Sequence, residues 1–373
     1  MSQQNWSVPE QDVRERIRGL LADEDGNGVL ATVVGVRGSA YRRPGARMVI
    51  TQDDSFGNVT AGCLEDEVRQ LAADVVAAGE PRVETYDLME DDDDIWGLGV
   101  GCNGVIDILL EPLTGVERPL FPDGDRLASL VLLDGDGPRF ATGQYDPESG
   151  FAGDLPSWVE RGAEADVRTL LEAGKSRTIS VTADGKEADL FVEALVPSPK
   201  LVVLGTGPDV GPVVELAKNV DFEVTVIGFR GGNARAERFP RADNVLSTSP
   251  AQLADAHDFD DSTYVVTMTH NFVDDRLSLD ALLDTDVPYI GLLGPRKRFE
   301  EMQEAFADEG RTFSQAELDR IQTPVGLDLG SGTPYGIAHS IVAELLAVHN
   351  DREPAHLEER EGPIHPRVVA GND

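Results

Sequence analysis

Residues 201–227 read LVVLGTGPDVGPVVELAKNVDFEVTVI and specify the fold of the second half of the chain. A short apolar strand opens into a glycine turn, and an apolar pattern at helical spacing and a second strand follow. Further strands are predicted at Tyr264 to Thr269 and at Tyr289 to Leu293, each followed by a helical pattern. This alternation predicts a doubly wound parallel sheet, which we place in a Rossmann-like C-terminal domain over residues 197–350.

The chain before Pro197 has a different pattern, mainly short β-branched strands with few helices. One helix is predicted after Leu64, where apolar residues recur at helical spacing as far as Gly79. We therefore expect a mixed α+β domain over residues 1–196, so that the whole chain falls in the α/β class. Residues 351–373 are acidic and contain prolines, and they are expected to form a flexible tail.

The charge of the chain excludes two classes of partner. Asp and Glu number 68 against 32 Lys and Arg, a formal net charge of -36 over 373 residues. Such a charge repels nucleic acid and anionic membranes, and no window is long and apolar enough to span a bilayer. The carboxylates are spread throughout, which is typical of a halophilic protein in a salty cytoplasm, where salt screens their repulsion. In such an acidic, cytoplasmic protein, a cluster of basic residues indicates a local structural or binding role.

A glycine-rich loop in the second half is a candidate nucleotide site. Gly205 and Gly207 follow a strand and precede a helix whose N-terminal N–H groups can hold a phosphate. The third glycine falls one residue late, and Gly228 replaces the acidic residue expected to bind the ribose. Arg230 behind it is a candidate contact for a 2′-phosphate or another anion. The glycines serve tight packing of strand against helix equally well, so both interpretations stand.

Two more candidates lie at strand ends of this domain, where open α/β sheets bind their ligands. His270 follows a predicted central strand and is a candidate polar contact, with a helix cap or a surface residue as the alternative. Gly294 forms a glycine turn, and the three cations Arg296, Lys297 and Arg298 follow it. Backbone donors and positive charge at such a turn can bind an anion. The alternative is a solvated helix face whose cations pair with Glu300 and Glu301.

The first domain contains another cluster of cations among glycines. Ser39, Arg42, Arg43 and Arg47 lie between two predicted strands. Guanidinium groups bind phosphate or carboxylate oxygens in pairs, and a hydroxyl adds a further donor. These four residues are therefore candidate anion contacts.

The two cysteines, Cys63 and Cys102, lie in glycine-rich surroundings far apart in sequence. Cys63 begins the predicted helix, whose N-terminus stabilises a thiolate, while Glu65, Asp66 and Glu67 in the first turn oppose it. A disulfide is disfavoured in a reducing cytosol. The alternative for each cysteine is a buried, small hydrophobic side chain.

Taken together, these segments resemble the XdhC/CoxI family, the maturation factors of xanthine dehydrogenase and related molybdenum hydroxylases. The resemblance spans most of Ala31 to Ala347, and in this order and spacing the motifs are specific as a set. In chain order they are Gly38-Ser39, Arg43, Pro44-Gly45-Ala46 and Met48, then Gly62-Cys63-Leu64-Glu65, Cys102-Asn103-Gly104, Leu110-Glu111-Pro112, Gly205, Gly207, Met268-Thr269-His270, Tyr289-Ile290-Gly291-Leu292-Leu293-Gly294, Pro324-Val325-Gly326-Leu327-Asp328 and Thr333-Pro334.

The resemblance implies a non-catalytic chaperone that binds molybdenum cofactor, keeps it while its sulfido ligand is installed, and passes it to an apo-hydroxylase of the xanthine or CO dehydrogenase type. Thiolates are soft ligands that suit a metal–sulfur centre, so Cys63 and Cys102 become candidate contacts to the molybdenum–sulfur end. Ser39 and the arginines become contacts to the molybdopterin phosphate or ring. A cysteine desulfurase and a second copy of the chain, forming a homodimer, are the further partners expected.

Two alternatives stay open at this point. An NAD(P)-dependent oxidoreductase would use the Rossmann-like domain for the nicotinamide cofactor and His270 for proton transfer. A scaffold that only docks partner proteins would bind no tight small-molecule ligand.

Overall fold

Among the described residues, three β-sheets form the framework, and helices cover them. The computed structural model describes residues 3–23, 27–88, 104–122, 124–230, 232–359 and 361. The chain divides between Pro197 and Ser198 into a first and a second domain. The tail predicted over residues 351–373 falls largely outside the described residues, which there include a short 3-10 helix, Leu357–Glu359. No helix in the described segments has the length and apolar character needed to cross a bilayer.

The first sheet carries one helix on each face. It has the order β1-β4-β3-β2-β6-β5 and is antiparallel except for the β1–β4 pair. Val13 of α1 packs with Val49 of β3, whereas Val68 of α2 packs with Met48 of the same strand. The two helices therefore cover opposite faces, because successive side chains of a strand alternate. The elements are β1 (Gln3–Asn5), α1 (Glu10–Ala22), β2 (Val29–Gly38), β3 (Arg47–Ile50), β4 (Asp54–Gly57), α2 (Glu65–Ala78), β5 (Arg82–Asp87) and β6 (Gly104–Pro112).

A second sheet completes the first domain. It is antiparallel throughout, with the order β10-β11-β7-β8-β9, and α3 packs on it. Its elements are β7 (Leu127–Gly135), β8 (Thr142–Asp146), β9 (Gly150–Gly153), α3 (Ser157–Glu172), β10 (Arg177–Ala183) and β11 (Lys186–Leu195). Strands dominate this half, as expected, but helices α1 and α3 were not predicted individually. The apolar residues of α3, among them Val159, Ala163 and Val167, do recur at helical spacing.

A buried network of charges connects the two sheets. Arg118 donates through Nε and Nη2 to both oxygens of Glu111 on β6 (3.1 and 2.7 Å), and through Nη1 to Glu193 Oε2 on β11 (2.8 Å). Glu193 Oε1 in turn lies 2.8 Å from Nη2 of Arg47 on β3. Burial opposes the charge of Arg118, but Glu111 and Glu193 outweigh it and raise the Arg118 pKa. Burial likewise opposes the charge of Glu193, yet Arg47 and Arg118 lower the Glu193 pKa. Arg118 and Glu193 are therefore charged at neutral pH.

The second domain is the predicted Rossmann-like parallel sheet. Its strand order is β14-β13-β12-β15-β16-β17, and every pair is parallel. Strands β12 and β15 are central, so the loops after them meet at the carboxyl edge where such sheets bind ligands. The predicted fold class, α+β followed by a parallel Rossmann-like sheet, is confirmed. The elements are β12 (Lys200–Leu204), α4 (Val210–Lys218), β13 (Glu223–Gly228), β14 (Asn244–Ser247), α5 (Leu253–Ala256), β15 (Thr263–Thr267), α6 (Phe272–Leu283), β16 (Tyr289–Leu292), α7 (Arg296–Asp308), α8 (Gln315–Asp319), β17 (Ile321–Gln322) and α9 (Pro334–His349).

Removal of Arg118 is expected to destabilise the protein strongly. Arg118→Met leaves Glu111 without its partner and Glu193 with only Arg47, so we expect a loss of about 3–5 kcal/mol in the free energy of unfolding. The matched control is Arg161→Met, because the Arg161–Asp184 pair is 62% exposed on both sides and should contribute less than about 1 kcal/mol. Chemical denaturation in molar KCl measures both changes, and equal losses would contradict the assignment.

The difference in stability between wild type and Arg118→Met is expected to depend on pH. Pairing lowers the Glu193 pKa from its ordinary value of 4.5, so the stability that Glu193 contributes is present above that pH and is lost as pH falls through the lowered pKa. In Arg118→Met one of the two cations is gone, and protonation of Glu193 then relieves the uncompensated charge. The difference in unfolding free energy between wild type and variant should therefore shrink below about pH 4.5. A difference that stays constant to about pH 4 would contradict a charged Glu193.

Candidate functional site

Cys63 lies in a loop that two buried polar side chains hold in place. Thr60 Oγ1 accepts hydrogen bonds from the backbone N–H groups of Cys63 (3.1 Å) and Leu64 (3.2 Å). The Thr60 hydroxyl donates to Glu65 Oε2 (2.5 Å), and Glu65 Oε1 accepts from the Thr60 N–H (2.7 Å). Glu65 is 0% exposed and also accepts from the Leu64 N–H (3.2 Å). The backbone that carries Cys63 is therefore tightly positioned.

The surroundings of Cys63 differ from those of a core cysteine. The residue is partly buried and packs, together with Ala40, against the core cluster between α2 and the first sheet. It stands just before the first turn of α2, where the helix N-terminus favours negative charge. Glu65, Asp66 and Glu67 oppose that effect, but Glu65 is occupied by four hydrogen-bond donors.

Ser39 and the start of β6 meet at one end of the first sheet. Gly38, the last residue of β2, pairs with Gly104, the first residue of β6. A Cβ on Gly104 would lie 2.5 Å from the carbonyl oxygen of Ser39, so the two segments are in contact and only glycine fits. Ser39 is exposed there. Cys102, two positions before Gly104, lies outside the described residues, and its place in the site stays a prediction.

The N-terminus of α2 lies toward the same end of this sheet. The helix is capped by Gly79, which adopts a left-handed φ of 68°, and β5 begins three residues later, a connection of the length that reverses the direction of the chain. The 14-residue helix (about 21 Å) and the 6-residue strand (about 20 Å) have similar lengths. Beyond β5, the Leu88 N–H donates to the Gly104 carbonyl (3.1 Å). Cys63 and Ser39 therefore lie toward a common end.

The three arginines before and at the start of β3 line a pocket of about 350 Å³ in the first domain. Arg42 is paired with Glu10 of α1. Arg47 is buried beside Glu193, as described above. Arg43 is exposed, and its guanidinium group has no ion pair or hydrogen bond with any described residue, although its carbonyl oxygen accepts from the Ala46 N–H (3.0 Å). The prediction that these three arginines cluster in space is consistent with this pocket, and Ser39 is not part of its lining.

This pocket and Cys63 lie on opposite faces of the first sheet. Arg47 and Met48 are neighbours on β3, so their side chains point to opposite faces. Met48 belongs to the core cluster against which Cys63 packs, under α2. Arg47 faces α1, whose Glu10 and Val13 line the pocket. The arginines and the thiol are therefore two separate groups of candidate contacts.

In the second domain, packing explains the glycine loop. Gly205 has φ 143°, and a Cβ there would lie 2.3 Å from the Met268 carbonyl oxygen at the end of the neighbouring central strand. A Cβ on Gly207 would lie 2.3 Å from Asp209 Oδ1. Gly205 therefore requires glycine for close packing against the neighbouring strand, which supports the packing interpretation of this loop, whereas the contact at Gly207 is with a side chain that can move.

Two residues of the same loop reduce its capacity to donate hydrogen bonds to a dinucleotide diphosphate. After the second glycine, the residues that would present N–H groups to phosphate are Pro208, which has no N–H, and Asp209, which carries a negative charge. Asp209 Oδ2 lies 2.8 Å from Nε2 of His270, whose backbone φ is 57°. His270 thus has an acidic partner that its own sequence neighbourhood does not reveal.

The ribose position of this domain is also closed. A Cβ on Gly228 would lie 2.6 Å from the methyl group of Thr206, so an acidic side chain does not fit there. Arg230 is exposed and pairs with Asp274 on α6 (2.9 Å). Arg230, which was predicted to contact an anion, thus pairs with an acidic residue of its own domain.

The basic run at the start of α7 is paired with acids. Gly294 has φ 139° and precedes the helix, as its position in the sequence indicates. Arg296 is 81% exposed and lies 3.9 Å from Glu300, one helical turn away. Arg298 pairs with the buried Asp275 (2.5 Å). The Arg296 contact is that of the solvated helix face that was the alternative to anion binding, whereas Arg298 is held against α6 by a buried carboxylate.

Three residues that shape these sites were not singled out from the sequence. Thr60 lies three residues before Cys63 and gives no signal without the fold. Asp209 meets His270 from 61 residues away, so only the parallel sheet brings them together. Glu193 did carry a signal, because it is a lone charge in the otherwise apolar strand Leu190 to Leu195.

Comparison with known proteins covers nearly the whole chain. Residues 21–87 match the XdhC and CoxI family, and residues 201–345 match the XdhC Rossmann domain. A probable xanthine dehydrogenase subunit of Bacillus subtilis is 30% identical over 88% of this chain and 94% of its own. The "Molybdenum cofactor insertion chaperone PaoD" of Escherichia coli is 24% identical over 94% of both chains. A crystal structure described as a xanthine dehydrogenase from Bacillus halodurans superposes with a TM-score of 0.72 at 28% identity, covering 91% of this chain and 96% of that one. The chain belongs to the XdhC/CoxI family.

Proposed function

We propose that this chain is a carrier of molybdenum cofactor that serves the maturation of a molybdenum hydroxylase. Family membership and the relative named as a molybdenum cofactor insertion chaperone support this role. The observation that carries it is the Cys63 loop, which Thr60 and Glu65 hold at the helix N-terminus, toward the sheet end where Ser39 is exposed. A thiol presented on a rigid, partly exposed loop suits capture of a cargo rather than filling of a core.

The cofactor is the cargo of this function. Cys63 and Cys102 would contact its molybdenum–sulfur end, since thiolates are soft ligands, and Ser39 would donate a hydrogen bond to the pterin. The chain would keep the cofactor while its sulfido ligand is installed and then deliver it to an apo-enzyme of the xanthine or CO dehydrogenase type. In this role the chain binds and releases, and another protein performs the redox catalysis.

The further partners follow from the same role. A cysteine desulfurase would supply the sulfur, and a homodimer would present two carriers to the hydroxylase, all within the cytoplasm. Analytical ultracentrifugation in molar KCl measures the oligomeric state, and a monomer across the working concentration range would refute the dimer.

The alternative, an NAD(P)-dependent oxidoreductase, has less support from the geometry. Its cofactor needs backbone donors for the diphosphate and an acidic residue for the ribose. Pro208 and Asp209 lie where the diphosphate would need backbone donors. Gly228, packed against Thr206, lies where the ribose would need an acidic residue. The His270–Asp209 pair is the feature that still suits proton transfer, because a carboxylate orients the imidazole.

Loss of the thiol is expected to abolish cargo retention. Cys63→Ser keeps the size of the side chain but replaces a soft ligand with a weak, hard one, so bound molybdopterin should be lost while folding is unchanged. Native mass spectrometry of protein purified anaerobically in high salt from cells that make the cofactor measures retention. A parallel sample with NADPH tests the alternative. Full retention by Cys63→Ser, or a complex with NADPH and no pterin, would overturn the proposal.

The loop that holds Cys63 provides a matched pair of variants. Thr60→Val removes the hydroxyl that accepts from two N–H groups and donates to Glu65, at a cost of about 1–3 kcal/mol. Thr60→Ser keeps that hydroxyl. We expect the half-life of the cofactor complex to fall at least about tenfold in Thr60→Val and to stay near wild type in Thr60→Ser. Equal half-lives in two folded variants would contradict positioning of the thiol by Thr60.

A further inference from the structure

The arginine pocket of the first domain contains buried donors that lack acceptors. The Nε–H groups of Arg42 and Arg47 are buried and have no hydrogen-bond partner among the described residues. Arg47 as a whole is only 5% exposed and lines the pocket. An unsatisfied buried N–H is costly and is rare in folded proteins. The protein therefore maintains, beside an open pocket, donors that an incoming oxygen acceptor would satisfy.

The charge around the pocket is positive although the chain is strongly acidic. Its lining includes the arginines Arg14, Arg42, Arg43 and Arg47 against the glutamates Glu10 and Glu193, in a chain with a net charge of -36. Glu111 and Glu193 together balance the charges of Arg118 and Arg47, so the buried network adds no net charge to the pocket. Arg43 adds an exposed guanidinium without a partner in the described structure. An anion is thus attracted to this pocket and repelled by most of the remaining surface.

Two further residues keep the pocket accessible and polar. Gly45 has φ 94°, and a Cβ there would lie 3.0 Å from Ser176 Oγ, so glycine leaves the space in front of Ser176 open. Ser176 Oγ accepts a hydrogen bond from the Ala194 N–H (3.2 Å), and its own proton remains available for donation. Fork-shaped guanidinium donors together with a hydroxyl match the oxygens of a phosphate group.

We propose that this pocket is a phosphate-binding site, separate from Cys63 and on the opposite face of the first sheet. Arg43, Arg42 Nε and Arg47 Nε donate to the phosphate oxygens, and Ser176 adds a hydroxyl. The bound phosphate belongs either to the cofactor cargo or to a free phosphate ion, and only the first of these rests on the proposed function. The site itself stands on the buried donors and the charge of the pocket.

A titration with inorganic pyrophosphate, followed by ³¹P NMR line broadening in molar KCl, tests the site. The wild-type protein should broaden the signal, and Arg43→Ala should weaken the affinity at least about tenfold. Arg47→Lys keeps a positive charge beside Glu193 but removes the Nε–H, so it should also weaken binding without loss of the fold. Arg161→Ala, an exposed arginine outside the pocket, is the control and should bind as wild type does.

Two additional samples separate this inference from the proposed function. Cys63→Ser should bind pyrophosphate as wild type does, because its side chain lies on the other face of the sheet. If the cofactor supplies the phosphate, cofactor-loaded protein no longer broadens the signal, whereas a site for free phosphate stays open in the loaded protein. Absence of broadening with wild type, or equal affinities for wild type, Arg43→Ala and Arg47→Lys, would overturn the phosphate site and leave the Cys63 experiment unaffected.

Discussion

The carboxylate of Glu193 lies between the guanidinium groups of Arg118 and Arg47, and the architecture of the first domain depends on this contact. Glu193 belongs to the second sheet, Arg47 to the first, and Arg118 adds Glu111 of the first sheet to the same network. Buried charges are tolerated only while every partner is in place, since a lone one would carry its full desolvation cost. The network therefore specifies how the two sheets meet, and it forms one wall of the arginine pocket.

Two groups of candidate contacts, the arginines and Cys63, belong to the same domain but are separated in space. Alternation along β3 directs Arg47 toward α1 and Met48 toward α2, so the arginine pocket and the Cys63 loop occupy opposite faces. Hydrogen bonds within the loop hold Cys63, whereas ion pairs between sheets hold Arg47. In the proposed carrier, soft and hard contacts to the cargo would lie at different places, and each group could be altered without the other.

The second domain uses the glycine turn of a Rossmann-like sheet for packing. Gly205 permits close approach of the neighbouring strand, while Pro208 and Asp209 occupy the position where a diphosphate would need donors. Its cations show the same tendency, since Arg230, Arg296 and Arg298 all have acidic partners within the domain. In a chain with so many carboxylates, a surface cation is generally close to an acid, and a basic run without other evidence is a weak sign of an anion site.

Fold class and family could both be predicted from the order of residues. Strand, glycine turn and helix alternate with local periodicities that backbone geometry imposes, and the helix after Leu64 follows from the spacing of its apolar residues. Helices α1 and α3 were missed, although α3 has the same spacing. Which polar groups meet could not be predicted in this way: Asp209 contacts His270, Arg47 contacts Glu193, and Thr60 contacts the Cys63 backbone. The third contact is a local side-chain-to-backbone hydrogen bond between residues three positions apart. The first two contacts join residues distant in sequence and depend on sheet order and face, which no local pattern encodes.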